Sequence, residues 1–321
     1  MTRVGVIDCG TNTVRLLIAD GAGDGVRPVG HDPYLADVVR VLRFVRLGQG
    51  VDATHRFHPD ALARTFAALD EFAGLIAEHG PLDELRFLAT SAARDATNRD
   101  EFFAGVEARV GVAPDVITGN EEARLSFLGA LAGGPIGASQ ILVMDIGGGS
   151  TELILGDAAG AVTAAQSFDV GSVRLRERFL HDDPPTASQI VAARGYVGSL
   201  IDGGAVPLGG VGAFIGVAGT NTSLSAMRQG MVEYDSTRVH NSSLSVGEIA
   251  ALTGELLAAP VASVKAKYPF LEPMRAEVIC AGALICDEVA ARVQTDMLVR
   301  ETDILDGAAL DLLRRTSPEL P

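Results

Sequence analysis

The feature that most constrains this chain is a strand-turn-strand unit that occurs twice. Residues 145–152 read DIGGGSTE and follow the apolar run Ile141, Leu142, Val143 and Met144. Residues 6–17 lie over 143–154 at a constant offset, with Asp8 over Asp145, Gly10 over Gly147 and Thr13 over Ser150. A buried strand that ends in an aspartate and runs into glycines makes a turn whose backbone N–H groups meet a phosphate without side-chain obstruction. Two such units, one opening each half, predict a duplicated α/β domain with a cleft between the copies and place function in that cleft.

The bulk numbers agree with two packed cores. The chain has 321 residues, 47% of them hydrophobic, enough for about two domains. Its 26 basic and 41 acidic residues leave a net charge of −15. That balance excludes nonspecific binding to nucleic acid or to an anionic membrane, so a polyanionic ligand has to be held locally. The first residues, MTRVGVID, already read as a strand and carry no signal-peptide pattern. No stretch reaches the roughly 18 apolar residues of a membrane-spanning helix, and a soluble cytoplasmic protein is expected. Cys9, Cys280 and Cys286 lack CxxC spacing and lie in apolar surroundings, which predicts reduced core thiols. The six histidines form no metal-binding pair.

Along the chain, residues 3–20 read as two strands around the turn 10–13, followed by a Gly/Asp-rich hairpin at 20–25, and 41–47 as another strand. Leu62, Phe66, Leu69, Phe72, Ala73 and Ile76 recur at helical spacing and predict an amphipathic helix over 58–79. A short buried strand over 85–90 leads to TSAARD at 90–95, where small residues surround Arg94. A guanidinium there can reach a ligand, and its fork suits phosphate oxygens; a surface pair with Asp95 or Asp100 is the alternative.

The helix that begins near Thr118 carries Glu121 and Glu122 in its first turn. Capping and the helix dipole account for at least one of them, and the other suits a carboxylate that orients an attacking water. The Gly- and Pro-containing segment 132–139 marks the boundary between a first domain, 1–132, and a second, 133–302. The second domain is expected to hold strands over 141–168, helices from 172 and over 187–201, and a strand over 213–217. Then come a second glycine turn at 216–222, a long helix over 274–292 carrying Gly282, a strand over 297–300 and a closing helix over 303–313. By analogy with duplicated folds, the segment 303–321 is expected to rejoin the first domain.

Read in order, DCGTNT, TSAARD, TGNEEARL, DIGGGSTE and GVAGT resemble the exopolyphosphatase and guanosine pentaphosphate phosphohydrolase (Ppx/GppA) family, of the superfamily of sugar kinases, acetate kinase, actin and heat-shock chaperone ATPases. The resemblance covers essentially the whole chain. It implies two actin-like, ribonuclease H-like domains around a central cleft. It also implies Mg2+-assisted hydrolysis of a terminal phosphoanhydride, with Mn2+ a possible substitute. Inorganic polyphosphate is the expected substrate and guanosine pentaphosphate the alternative. A kinase of the same superfamily and a non-catalytic nucleotide-binding regulator are the rivals. A homodimer would be ordinary for the family. Longer members carry a further helical region, which a chain stopping at Pro321 is expected to lack.

Residue by residue, the resemblance makes Glu122 the catalytic glutamate, two positions before Arg124, with Glu121 as its neighbouring candidate and Glu152 as the second essential carboxylate. It places Asp145, Glu152 and, less directly, Asp8 near the metal. Gly10, Thr11, Asn12, Thr13, Gly147, Gly148, Gly149, Ser150, Gly219 and Thr220 correspond to phosphate-facing loops. Arg94 and Arg15 correspond to phosphate-contacting arginines; Cys9, Thr11 and Thr13 depart from the commonest first motif, and at Arg15 many members have histidine.

Overall fold

The computed structural model of the protein describes residues 2–21 and 35–316. It divides into two compact units, residues 1–134 with 302–321 and residues 135–301. Each contains one mixed β-sheet flanked by helices, an α/β architecture.

The sheet of the first unit is built from β1 (Arg3–Cys9), β2 (Thr13–Gly21), β3 (Leu35–Phe44), β4 (Glu84–Ala89) and β5 (Asp115–Val116), in the order β3-β2-β1-β4-β5. β1 to β3 form an antiparallel meander, whereas β4 runs parallel to β1 and β5 parallel to β4. Period-two alternation separates its two faces. Ile7, Cys9, Val14, Leu16 and Ile18 pack in one core with Leu62, Leu69 and Phe72 of the helix Pro59–His79. Val4, Val6, Leu17 and Ala19 pack on the other face with Leu125 and with Leu305, Ala308 and Leu312 of the helix Ile304–Thr316. Phe102 stands edge-on to Phe57 and Phe87, with centroids 5.4 and 6.1 Å away, each pair contributing about 1 kcal/mol beyond area burial.

The second unit repeats this plan. β6 (Ile141–Ile146), β7 (Thr151–Gly156), β8 (Val162–Phe168), β9 (Ala213–Val217), β10 (Ser242–Leu244) and β11 (Met297–Val299) lie in the order β10-β11-β9-β6-β7-β8. β6 to β8 are the antiparallel meander and β9 and β11 the parallel additions, with β10 antiparallel at the far edge. Capping boxes begin two of its helices, Thr186 with Gln189 and Ser245 with Glu248.

Three sequence expectations need correction. The strand expected at 41–47 is β3, which ends at Phe44; Val45 and Arg46 instead donate their N–H groups to the Asn12 carbonyl. The helix expected over 274–292 is two helices, Pro273–Ala276 and Ile279–Val293, separated by a turn at Glu277 and Val278. Packing explains the break, overriding a continuous helical pattern: the short turn lays Arg275 across Gly219, while the longer helix brings Gly282 against Thr220. The turn expected at 216–222 is already helix from Ala218, within Ala218–Arg228. The hairpin expected at 20–25 lies largely outside the described residues.

Candidate active site

Parallel neighbours end at a common level, and ligands of open α/β sheets gather at the carboxyl ends of their strands. In the first unit, Cys9 of β1 pairs with Ala89 of β4, and Ala89 with Val116 of β5. The turn 10–13, the helix Ser91–Asp95 and the helix Gly119–Ala132 all start there.

The turn is fixed from three sides. Gly10 N–H donates to the Thr13 carbonyl at 2.9 Å, and Gly48 N–H donates to the Thr11 carbonyl at 2.8 Å. The Thr11 and Ser91 hydroxyls share a hydrogen bond of 2.9 Å. Gly48 is required, because a Cβ there would overlap the Thr11 side chain. Asn12 is nine-tenths buried, and its Oδ1 has no hydrogen-bond partner among the described residues.

Arg94 and Glu122 meet beside this turn. Arg94 Nη1 donates to Glu122 Oε2 at 2.8 Å and to the Ile117 carbonyl at 2.9 Å. Among the described residues, these hydrogen bonds use Nη1 alone and leave Nε and Nη2 as donors for a ligand. Glu121 turns the other way. Both its oxygens accept from Arg124, at 3.0 Å each, and Arg86 stands 3.6 Å away. The Arg124 hydrogen bonds lead in holding its carboxyl below the usual glutamate range. Its N–H is capped by Thr118 Oγ1. The two adjacent glutamates thus separate into a surface tie and a buried carboxylate.

Asp8 and Arg15 face each other across β1 and β2. Arg15 donates to Asp8 Oδ2 through Nε at 3.1 Å and Nη2 at 2.6 Å, while Nη1 binds Asp303. Arg15, expected to contact phosphate, is engaged by two carboxylates. Burial leads in pushing the Asp8 carboxyl up, against the pull of Arg15.

The second unit repeats the turn with different side chains. Gly147 N–H donates to the Ser150 carbonyl at 3.0 Å, the counterpart of the Gly10 bond. The Gly147 carbonyl accepts from Ser172 N–H, and the Gly148 carbonyl from the N–H groups of Val173 and Arg174, so the turn's acceptors are consumed by the helix Ser172–Phe179. Gly171 permits this docking, since a Cβ there would stand 2.5 Å from the Gly148 backbone. Asn221 joins the strand ends by donating to the Met144 and Val217 carbonyls, at 3.3 and 2.7 Å.

At the register position of Asp8 and Arg15, this unit places Asp145 opposite Glu152, 7% and 1% exposed. Ser167 Oγ donates to Glu152 Oε1 at 2.7 Å. Two hard carboxylates suit Mg2+, which keeps several waters and takes one or two carboxylates together with substrate phosphate oxygens. Among the described residues, no group of three or more His, Cys, Asp or Glu side chains gathers. Gly219 and Thr220 lie in the first turn of their helix, and a Cβ on Gly219 would overlap the Arg275 guanidinium.

Comparison with known proteins adds to this geometry. Residues 26–308 match the model of the Ppx/GppA phosphatase family. The chain belongs to that family. It is 43% identical over 324 residues to Exopolyphosphatase 2 of Mycobacterium tuberculosis, covering 97% of this chain and 99% of that protein. It is similar to the crystal structure of an exopolyphosphatase-like protein, with 42% identity, a TM-score of 0.91 and coverage of 98% and 100%. It is also similar to an exopolyphosphatase from Cytophaga hutchinsonii, with 26% identity, a TM-score of 0.86 and coverage of 98% of each chain.

Within this member of the family, sequence reading missed Asp303, Ser167, Asn221 and Gly171. Asp303 and Ser167 reach the site's carboxylates only through pairings distant in sequence. The signal at Asp303 was hidden by a second job, since Asp303 Oδ1 also accepts from Leu305 N–H at the start of the closing helix. No described helix is long and apolar enough to cross a membrane.

Proposed function

We propose that the protein is an exopolyphosphatase that hydrolyses the terminal phosphoanhydride of inorganic polyphosphate and releases orthophosphate. The observation that carries this reading is the buried Glu122 carboxylate held by Arg94 Nη1, with two further guanidinium donors left for a phosphoryl group. Similarity along the full length to proteins named exopolyphosphatases supports it.

The chemistry needs little beyond positioning and charge stabilisation. Arg94 Nε and Nη2 and the N–H groups of the turn 10–13 bind the terminal phosphoryl oxygens. Glu122 orients a water and takes its proton as the oxygen attacks phosphorus, while the bridging P–O bond breaks opposite and its electrons leave with the shortened chain. Asp145 and Glu152 would hold Mg2+, which when bound would supply neutralisation of phosphate charge. Ser167 orients Glu152, and Asn221 holds the strand ends beside Asp145. The shared strand order supports reading each unit as an actin-like domain. Buried, free Cys9, Cys280 and Cys286 support a reducing, cytoplasmic setting.

The test is orthophosphate release by the wild-type protein with Mg2+ from short polyphosphate, long polyphosphate, guanosine pentaphosphate and ATP. Polyphosphate is expected to give the highest kcat/KM. A higher value with guanosine pentaphosphate would move the protein to the nucleotide branch of its family, and release from none of them would overturn the hydrolase reading.

A further inference from the structure

The triad Asp8, Arg15 and Asp303 joins three separate elements in a nearly dry environment. The three side chains are 7%, 17% and 5% exposed. Both Arg15 bonds to Asp8 fall on Oδ2, so among the described residues no hydrogen bond is given to Oδ1, the oxygen left to be offered elsewhere. Which oxygen is offered therefore depends on where Arg15 is held. Its other end is held by Asp303.

Asp303 is itself immobilised. Its Oδ1 accepts from Leu305 N–H at 3.0 Å, its Oδ2 accepts from Arg15, and its N–H donates to Asp306 Oδ2 at 2.9 Å. The backbone around it is pressed against the helix Gly119–Ala132. A Cβ on Gly129 would overlap the Asp303 carbonyl, and one on Gly307 would overlap the Leu125 carbonyl. Glu122, Leu125 and Gly129 follow at steps of three and four, so they share one side of that helix. The segment that fixes Arg15 is thus clamped to the helix that carries Glu122.

We propose that Asp303 is a positioning residue of the first unit, acting through Arg15 to fix the Asp8 carboxylate relative to the Glu122 helix. This rests on the exopolyphosphatase reading. Asp303 touches no substrate; it acts through the two bonds of the Arg15 fork, and its loss lets the guanidinium and the carboxylate it carries drift.

Asp303→Asn separates this role from helix capping, because asparagine caps a helix as well as aspartate does but presents an amide instead of a carboxylate to Arg15. Kinetics on polyphosphate with Mg2+ are measured for wild type, Asp303→Asn, Arg15→Lys and the double variant, with Tm recorded for each. The expected result is a fall of about tenfold in kcat for Asp303→Asn, with KM within about twofold and little change in Tm. Arg15→Lys falls at least as far, since an ammonium cannot span both carboxylates, and the double variant falls no further than Arg15→Lys. Wild-type kcat in a folded Asp303→Asn, or losses that multiply in the double variant, would overturn the proposal. A wild-type protein without phosphate release would sink the enzymatic reading along with it, whereas an active wild type with an unaffected Asp303→Asn sinks only the positioning role.

Discussion

The two strand-turn-strand motifs share a backbone plan and, among their differing side chains, place opposite chemistry at one register position. Each begins with an aspartate at the same point of its first strand, and each turn closes with the same N–H to carbonyl bond, from Gly10 to Thr13 and from Gly147 to Ser150. Across the ladder, Asp8 meets Arg15 and Asp145 meets Glu152. Opposite charges facing each other across a ladder stabilise it, and like charges destabilise it. In the first unit the aspartate is tied to its own cation. In the second, two carboxylates share a ladder position that suits a bound cation. The same turn thus occurs in both units, and the residue facing its aspartate differs in charge.

Exchanging the pairs tests that division most severely. Glu152→Arg would give the second unit the pair found in the first. It is expected to cut kcat/KM on polyphosphate by about a thousandfold and to abolish the response of rate to added Mg2+. Arg15→Glu would give the first unit the carboxylate pair of the second, but beside Asp303 and without the Arg15 cation. Breaking that buried ion network is expected to destabilise the fold by about 3–5 kcal/mol in denaturant unfolding. A stable and active Arg15→Glu protein would show that the two ladder positions are interchangeable.

A subtler sharpening uses Asp8 alone. Burial holds its carboxyl above the ordinary range, so the native chain keeps this proton to a higher pH than the unfolded chain does. The native state then binds more protons through that window, and stability falls as pH rises through it. Asp8→Asn removes this dependence while leaving Arg15 paired with Asp303. The difference in Tm, variant minus wild type, is expected to grow as pH rises upward from the ordinary aspartate range, although phosphate release declines. A difference that shrinks over that rise would mean that the Arg15 pair outweighs burial at Asp8.

What the sequence made legible follows from how local each signal is. The paired motifs, the helix over 58–79 and the strand over 213–217 are set by patterns a few residues long, and the structure has them at Pro59–His79 and Ala213–Val217. Family, and with it the expected chemistry, was legible for the same reason, since five short motifs carry it. Side-chain partners were less so. Arg15 resembles a phosphate contact, and nothing local to its motif announces its partner 288 residues away. The approach of the Arg275 guanidinium to Gly219, across more than fifty residues, had no local signal at all. Glu121 and Glu122 are indistinguishable by composition in a first helical turn. Only the rotation of one helical step sends one to Arg124 and the other to Arg94.

That last separation makes Glu122 rather than Glu121 the proposed base, and one paired measurement tests it. Orthophosphate release from polyphosphate under saturating Mg2+ is compared for wild type, Glu122→Gln and Glu121→Gln, with polyphosphate binding measured alongside. The expected result is a loss of about 10²-fold or more in kcat for Glu122→Gln with binding retained, and a rate within about twofold of wild type for Glu121→Gln, a partly exposed surface tie. A Glu122→Gln protein that turns over at the wild-type rate, or a larger loss at Glu121, would contradict it.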